Sequence, residues 1–306
     1  MKRILIAVAM LAALNGPADA AGKLRVAAST NDLASIAATV GGEQIEAFAI
    51  ARPNADAHRV EVLPSYMVKV SRAQIYLKNG LGLDQWADGI IDGSRNTKLK
   101  IVDCSRGIAV LDKPTGKVDA SMGDIHPDGN PHYWLDPRNG GVVARNVAEA
   151  LAAADPAHAA DFRARAEAFA KETDAAYARQ KAVIDRLPVN VVLTYHASWV
   201  YFAKAFGLEI AATVEPVPGI PPTARHLAEL VSIVKSRHIP VLLQESYFSA
   251  DAGKFLEREG GLRLVVATPS CEEPVAGSYL KHFDTLASQL AGTGAAAAGA
   301  SGGGQR

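Results

Sequence analysis

The sequence predicts an α/β protein of two lobes, each a mainly parallel sheet flanked by helices, joined by one long helix. Three observations predict it. Short apolar runs alternate with amphipathic stretches in both halves of the chain, the pattern of a parallel sheet covered on both faces. A stretch rich in Ala, Glu, Arg and Lys separates the halves, from residue 137 to about residue 186. The chain has 306 residues, and at roughly 100–200 residues per domain that length suits two domains.

The elements follow in order. Residues 1–20 carry a charged start at Lys2 and Arg3, an apolar stretch at residues 4–14, and the small-x-small run Ala18-Asp19-Ala20. That is the pattern of a cleavable signal peptide, and it is too short for a membrane span of roughly 20 residues. No cysteine follows the apolar run, so no lipid anchor is expected there. The first lobe, residues 21–136, reads as strands at 24–28, 45–50, 74–77 and 100–103, with helices at 31–40, 63–70 and 83–92. Residues 137–187 read as helical. Asp155-Pro156 is the one clear break, and it opens a helix of about thirty residues, roughly 45 Å long. The second lobe, residues 188–291, reads as strands at 189–194, 209–213, 240–243 and 263–267, with helices at 198–206, 223–236, 250–259 and 276–290. The Gly/Ala/Ser-rich tail, 292–306, has nothing to bury and reads as disordered.

Composition excludes some function classes. Lys and Arg total 32 against 32 Asp and Glu, which argues against a nucleic-acid surface. Two cysteines cannot build a Cys-rich zinc module or a dense disulfide framework. An exported chain could bridge Cys104 and Cys271, at strand ends in different lobes, if their Cα atoms came within roughly 7 Å; unpaired thiols are the favoured reading and the bridge the alternative.

Three of the eight histidines lie on loops at element ends, where functional residues concentrate. His58 follows a predicted strand, His132 precedes the helical region, and His196 follows the first strand of the second lobe. Converging imidazoles would make a nitrogen-rich site suited to Zn²⁺. Spacing alone leaves open that they are three ordinary loop histidines, because no compact motif such as H-E-x-x-H is present.

Several segments together resemble the periplasmic substrate-binding proteins of zinc and manganese ABC transporters, over nearly the whole mature chain. Asp56-x-His58-x-x-Glu61 resembles the first metal-binding loop of that family. Residues 73–86, with Asn79-Gly80, resemble its following strand–turn–helix segment, with Asp84 where Glu is usual. Asn130-Pro131-His132-Tyr133-Trp134-Leu135-Asp136-Pro137 resembles the second-ligand motif and is the most specific of the set. Tyr195-His196-Ala197-Ser198-Trp199 resembles the third, and Gln244-Glu245 sits where the family carries a glutamate at a strand end.

The resemblance implies two lobes with a rigid linking helix and a metal in the cleft between them, held by His58, His132 and His196. The cargo is then Zn²⁺, with Mn²⁺ the alternative, because a nitrogen donor at His196 favours zinc where a carboxylate would favour manganese. The resemblance also implies delivery to a membrane ABC permease from the periplasm, by a chain expected to be monomeric.

The fourth ligand is where the sequence departs from the family. Thr268 falls where relatives carry an aspartate, and a threonine hydroxyl is a poor zinc donor. Glu245 is the candidate to replace it, either as a direct ligand or by bonding a ligand histidine or a bound water. Cys271 and a water are the remaining alternatives. His126, in a short Gly/Pro-rich loop, reads as a solvated residue, with transient metal capture as the alternative. A zinc hydrolase is the competing function, since three histidines and a bound water also describe catalytic sites and Glu245 could act as a base. An adhesin on the same fold is a third, with no repeat or anchor to support it.

Overall fold

The computed structural model describes residues 22–116, 118 and 123–292. The expected signal peptide and all but the first residue of the expected tail lie outside them.

Two parallel four-stranded sheets form the lobes. In the first, β1 (Leu24–Ala28), β2 (Ile45–Ala49), β3 (Ile75–Lys78) and β4 (Lys100–Asp103) lie in the order β2-β1-β3-β4. The helices α1 (Asn31–Gly41), α2 (Pro64–Val70) and α3 (Trp86–Ser94) connect them. The second lobe repeats the plan as β6-β5-β7-β8. It is built from β5 (Val191–Thr194), β6 (Glu209–Thr213), β7 (Val241–Glu245) and β8 (Arg263–Ala267), with α6 (Val200–Phe206), α7 (Ala224–Arg237), α8 (Ala250–Gly260) and α9 (Ser278–Ala291). The order reverses direction beside β1 in one sheet and beside β5 in the other. Open α/β sheets bind ligands at such switch points, outside the carboxyl ends of the strands.

Between the lobes run α4 (Asn139–Ala154) and α5 (Ala159–Ile184). The long helix is 26 residues rather than about thirty, because Pro156–His158 form a tight 3₁₀ turn before it. It still spans roughly 39 Å. Its inner face buries Phe162, Ala166, Phe169 and Ala176. These join one apolar core that also holds Val26 and Leu77 of the first sheet and Val241, Leu243 and Val265 of the second.

Helix α3 starts three residues later than its periodicity predicts. Residues 83–85 belong instead to the turn that Gly80, Leu81 and Gly82 open with positive φ, and the Asp84 carboxylate reaches back to hold it. It accepts hydrogen bonds from the backbone N–H of Asn79 at 2.6 Å and of Gly80 at 3.1 Å, and from the Ser29 hydroxyl. The turn at the end of β3 is thereby tied to the end of β1.

The linking helix is not the only bond between the lobes. Asn31 Nδ2 donates to the carbonyls of Cys271 and Glu272, and Asp32 accepts from the Ser270 hydroxyl at 2.6 Å and the Cys271 N–H at 3.1 Å. The start of α1 thus grips the loop after β8. Cys104 and Cys271 are both buried and unpaired.

Full burial pushes the Asp32 carboxyl up to about 6, against the pull of the Ser270 and Cys271 hydrogen bonds. The unfolded chain ionises Asp32 near 3.9. Between about pH 4 and 6 the unfolded state therefore sheds a proton that the folded state keeps, and stability falls as pH rises. Asp32→Asn cannot titrate. Urea unfolding from pH 4 to 7 should show wild type losing about 3 kcal/mol relative to the variant; parallel pH profiles would rule out the shift.

Candidate metal centre

The three histidines predicted from sequence meet at the head of the inter-lobe cleft. Their ring centroids lie 5.0 Å (His58–His132), 5.5 Å (His58–His196) and 5.6 Å (His132–His196) apart. One ring nitrogen from each lies within 4.8 Å of the others, the only such group of three or more His, Cys, Asp or Glu donors among the described residues. A tetrahedral zinc with bonds of about 2.0–2.1 Å needs donors about 3.3 Å apart. Donors within 4.8 Å of one another are already close to that spacing.

Each imidazole is aimed by a partner on Nδ1. Two residues before His58, the Asp56 carboxylate accepts from the His58 backbone N–H at 2.9 Å and contacts Nδ1 at 2.7 Å. Asn130 repeats this device on His132, its Oδ1 lying 3.0 Å from the backbone N and 2.9 Å from Nδ1. His196 has no such neighbour in sequence. Glu215, just beyond β6, reaches its Nδ1 with Oε2 at 2.6 Å and also accepts from the Gly219 N–H at 3.0 Å. With Nδ1–H donated in all three rings, Nε2 is the nitrogen with a free lone pair. His58 Nε2 is indeed buried without a partner. An outer carboxylate or carbonyl that fixes tautomer and ring orientation is the arrangement that prepares an imidazole for a metal.

The electrostatics separate the three. Burial and the neighbouring imidazoles of His58, His196 and His126 push His132 well below the usual histidine value, so it is neutral and ready to donate. Burial also works against a proton on His196, but Glu215 and the nearby Glu245 and Asp56 outweigh it and hold the ring above its ordinary value.

Glu245 ends β7 with no exposed surface, and desolvation pushes its carboxyl up to about 7. Neither oxygen has a hydrogen-bond partner, and it stands outside the trio of donors. Thr268 lines a separate cavity of about 350 Å³, with Ser246, Lys281 and His282, that contains none of the three histidines. Cys271 is turned to the Glu273 carbonyl, with Sγ 3.5 Å away.

His126 departs from expectation. It is not a solvated loop residue: its ring stacks on His58 with centroids 5.2 Å apart, and its Nε2 is buried. The loop folds inward because Asp124 N–H bonds the Pro218 carbonyl of the second lobe at 2.9 Å. Sequence reasoning also missed Glu215. Its signal was an acidic residue directly after a strand, at the sheet end where ligands gather.

Residues 26–293 match the family described as "Zinc-uptake complex component A periplasmic" (ZnuA). The iron-binding protein YfeA of Yersinia pestis is 28% identical over 297 residues, covering 94% of this chain and 91% of the relative. The manganese ABC transporter substrate-binding lipoprotein PsaA of Streptococcus mitis is 26% identical, covering 79% of each chain. Among solved structures, a crystal structure of ZnuA superposes with a TM-score of 0.76 at 24% identity, covering 89% of this chain and 99% of that one.

Proposed function

The chain belongs to the ZnuA family of periplasmic metal-binding components of ABC transporters, and we propose that its cargo is Zn²⁺, captured by His58, His132 and His196 for release to a membrane permease. The observation that carries this reading is the donor set: three imidazoles with a ring nitrogen of each within 4.8 Å of the others, each engaged through Nδ1 so that Nε2 is left to donate. Nitrogen donors suit zinc, whereas carboxylate, carbonyl and water oxygens suit manganese. Relatives named for iron and manganese make the metal the point to test.

Glu245 takes the role of the buried anion beside His196, offsetting part of the metal's charge without joining the donors. A hydrolytic role for it is disfavoured by its burial: a general base must reach a substrate proton within about 3 Å, and Glu245 has no exposed surface. The protein is then a non-catalytic carrier. In the same proposal residues 1–20 direct export and are removed, and a monomer without a lipid anchor works in the periplasm.

Metal analysis of protein isolated from the periplasm, with a parallel hydrolase screen, tests the reading. One zinc per chain without turnover is the expected result. Manganese or iron in place of zinc would overturn the metal assignment, and turnover would overturn the carrier role.

A further inference from the structure

Three neutral nitrogen donors leave a tetrahedral zinc one ligand short. Of the residues expected to complete it, Glu245 stands outside the trio and Thr268 lines another cavity. A fourth imidazole, also outside the trio, stands against one of its members, with ring centroids 5.2 Å apart. His126 stacks on His58 at an interplanar angle of 26°, and it shares with His132 and His196 the wall of a cavity of about 320 Å³.

The His126 ring packs against the Gly82 backbone, close enough that a Cβ on Gly82 would lie 3.2 Å from Nδ1. Like His58, it has a buried Nε2 with no hydrogen-bond partner. A buried polar atom in that state is a cost to the fold unless something binds it.

The segment is also built to stand where it does. Asp124 N–H bonds the Pro218 carbonyl at 2.9 Å, and the Asp124 carboxylate lies 3.5 Å from the Arg59 guanidinium. The backbones approach so closely that a Cβ on Gly123 would fall 2.1 Å from the Pro218 oxygen, and one on Gly219 would fall 2.4 Å from Asp124 Oδ2. Both glycines have positive φ, a conformation glycine adopts without strain. Bridging the mouth of the cleft in this way holds the His126 ring beside the site from a fixed support.

We propose that His126 is the fourth nitrogen donor, its Nε2 leaving the stack on His58 to join His58, His132 and His196 on the metal. The inference rests on the zinc-site reading above and assigns the ligand that reading leaves open. X-ray absorption at the zinc edge counts imidazoles directly, through their ring scattering. Wild type loaded with one zinc should show four imidazole nitrogens at about 2.0–2.1 Å. His126→Ala and His126→Gln should each show three plus an oxygen, with zinc affinity at least tenfold weaker and the apo melting temperature unchanged. Three imidazoles in wild type, or identical spectra in wild type and both variants, would overturn the proposal. His132→Ala separates the two levels: if it abolishes zinc binding while the His126 variants change nothing, the trio stands and only the fourth donor falls. If wild type itself binds no zinc, both fall.

Discussion

Replacing His132 with alanine should weaken zinc binding by on the order of 10²–10³-fold. Structural zinc sites release about 10–16 kcal/mol on binding; on that scale each of three or four donors carries roughly 3–4 kcal/mol, and every 1.4 kcal/mol is a factor of ten. His132 is the ring that burial and its neighbours keep most firmly neutral, so its donor strength is not spent on displacing a proton. His58→Ala and His196→Ala should fall in the same range. The partners that aim the rings, and the buried Glu245 carboxyl beside His196, act one step removed. Glu215→Gln, Asp56→Asn and Glu245→Gln should each cost about 10–100-fold. A competitive chelator titration across the six variants separates the two groups. A Glu245→Gln loss as large as that of His132→Ala would make Glu245 a ligand, and unchanged affinity in any histidine variant would remove that residue from the site.

Trp134→Ala should be the most damaging change outside the site. The indole is 2% exposed and its N–H donates to the Pro269 carbonyl of the opposite lobe at 2.7 Å. Tyr279, from α9, reaches across to accept the same role in reverse, its hydroxyl donating to the Trp134 carbonyl at 2.7 Å. Truncating a buried tryptophan costs about 3–5 kcal/mol, and the Pro269 carbonyl left without its donor adds roughly 1–3 kcal/mol. Because the apolar core runs through both lobes, the loss should move one cooperative transition rather than split it. Urea unfolding followed by far-ultraviolet circular dichroism and by tryptophan fluorescence should give coincident curves for wild type and for the variant. Two separated transitions would mean that the lobes fold independently.

How far the sequence reaches depends on whether a feature is local. β1, β4, β6 and β8 begin and end where the apolar runs do, because a buried parallel strand bounded by polar turns is written in consecutive residues. The start of α3 was not legible, since Leu83, Asp84 and Gln85 read as its first turn until the Asp84 carboxylate is seen bonding back to the Asn79 N–H. The site divides in the same way. His58, His132 and His196 stood out by their loop positions, and Asp56 and Asn130, two residues ahead of their histidines, are short-range partners. Glu215 lies nineteen residues beyond His196, and only the pairing of β6 beside β5 brings the two together. The place of His126 depends on a contact between lobes, Asp124 to Pro218, which no local pattern encodes.

One metal ion is expected between the lobes, on the Nε2 atoms of His58, His132 and His196. Anomalous diffraction at the zinc edge, from crystals of the zinc-loaded protein, tests it most directly. A single strong peak is expected about 2.0–2.1 Å from Nε2 of His58, His132 and His196, with each Nδ1 still on Asp56, Asn130 or Glu215. A peak elsewhere on the chain, or coordination through Nδ1 with those partners displaced, would contradict it.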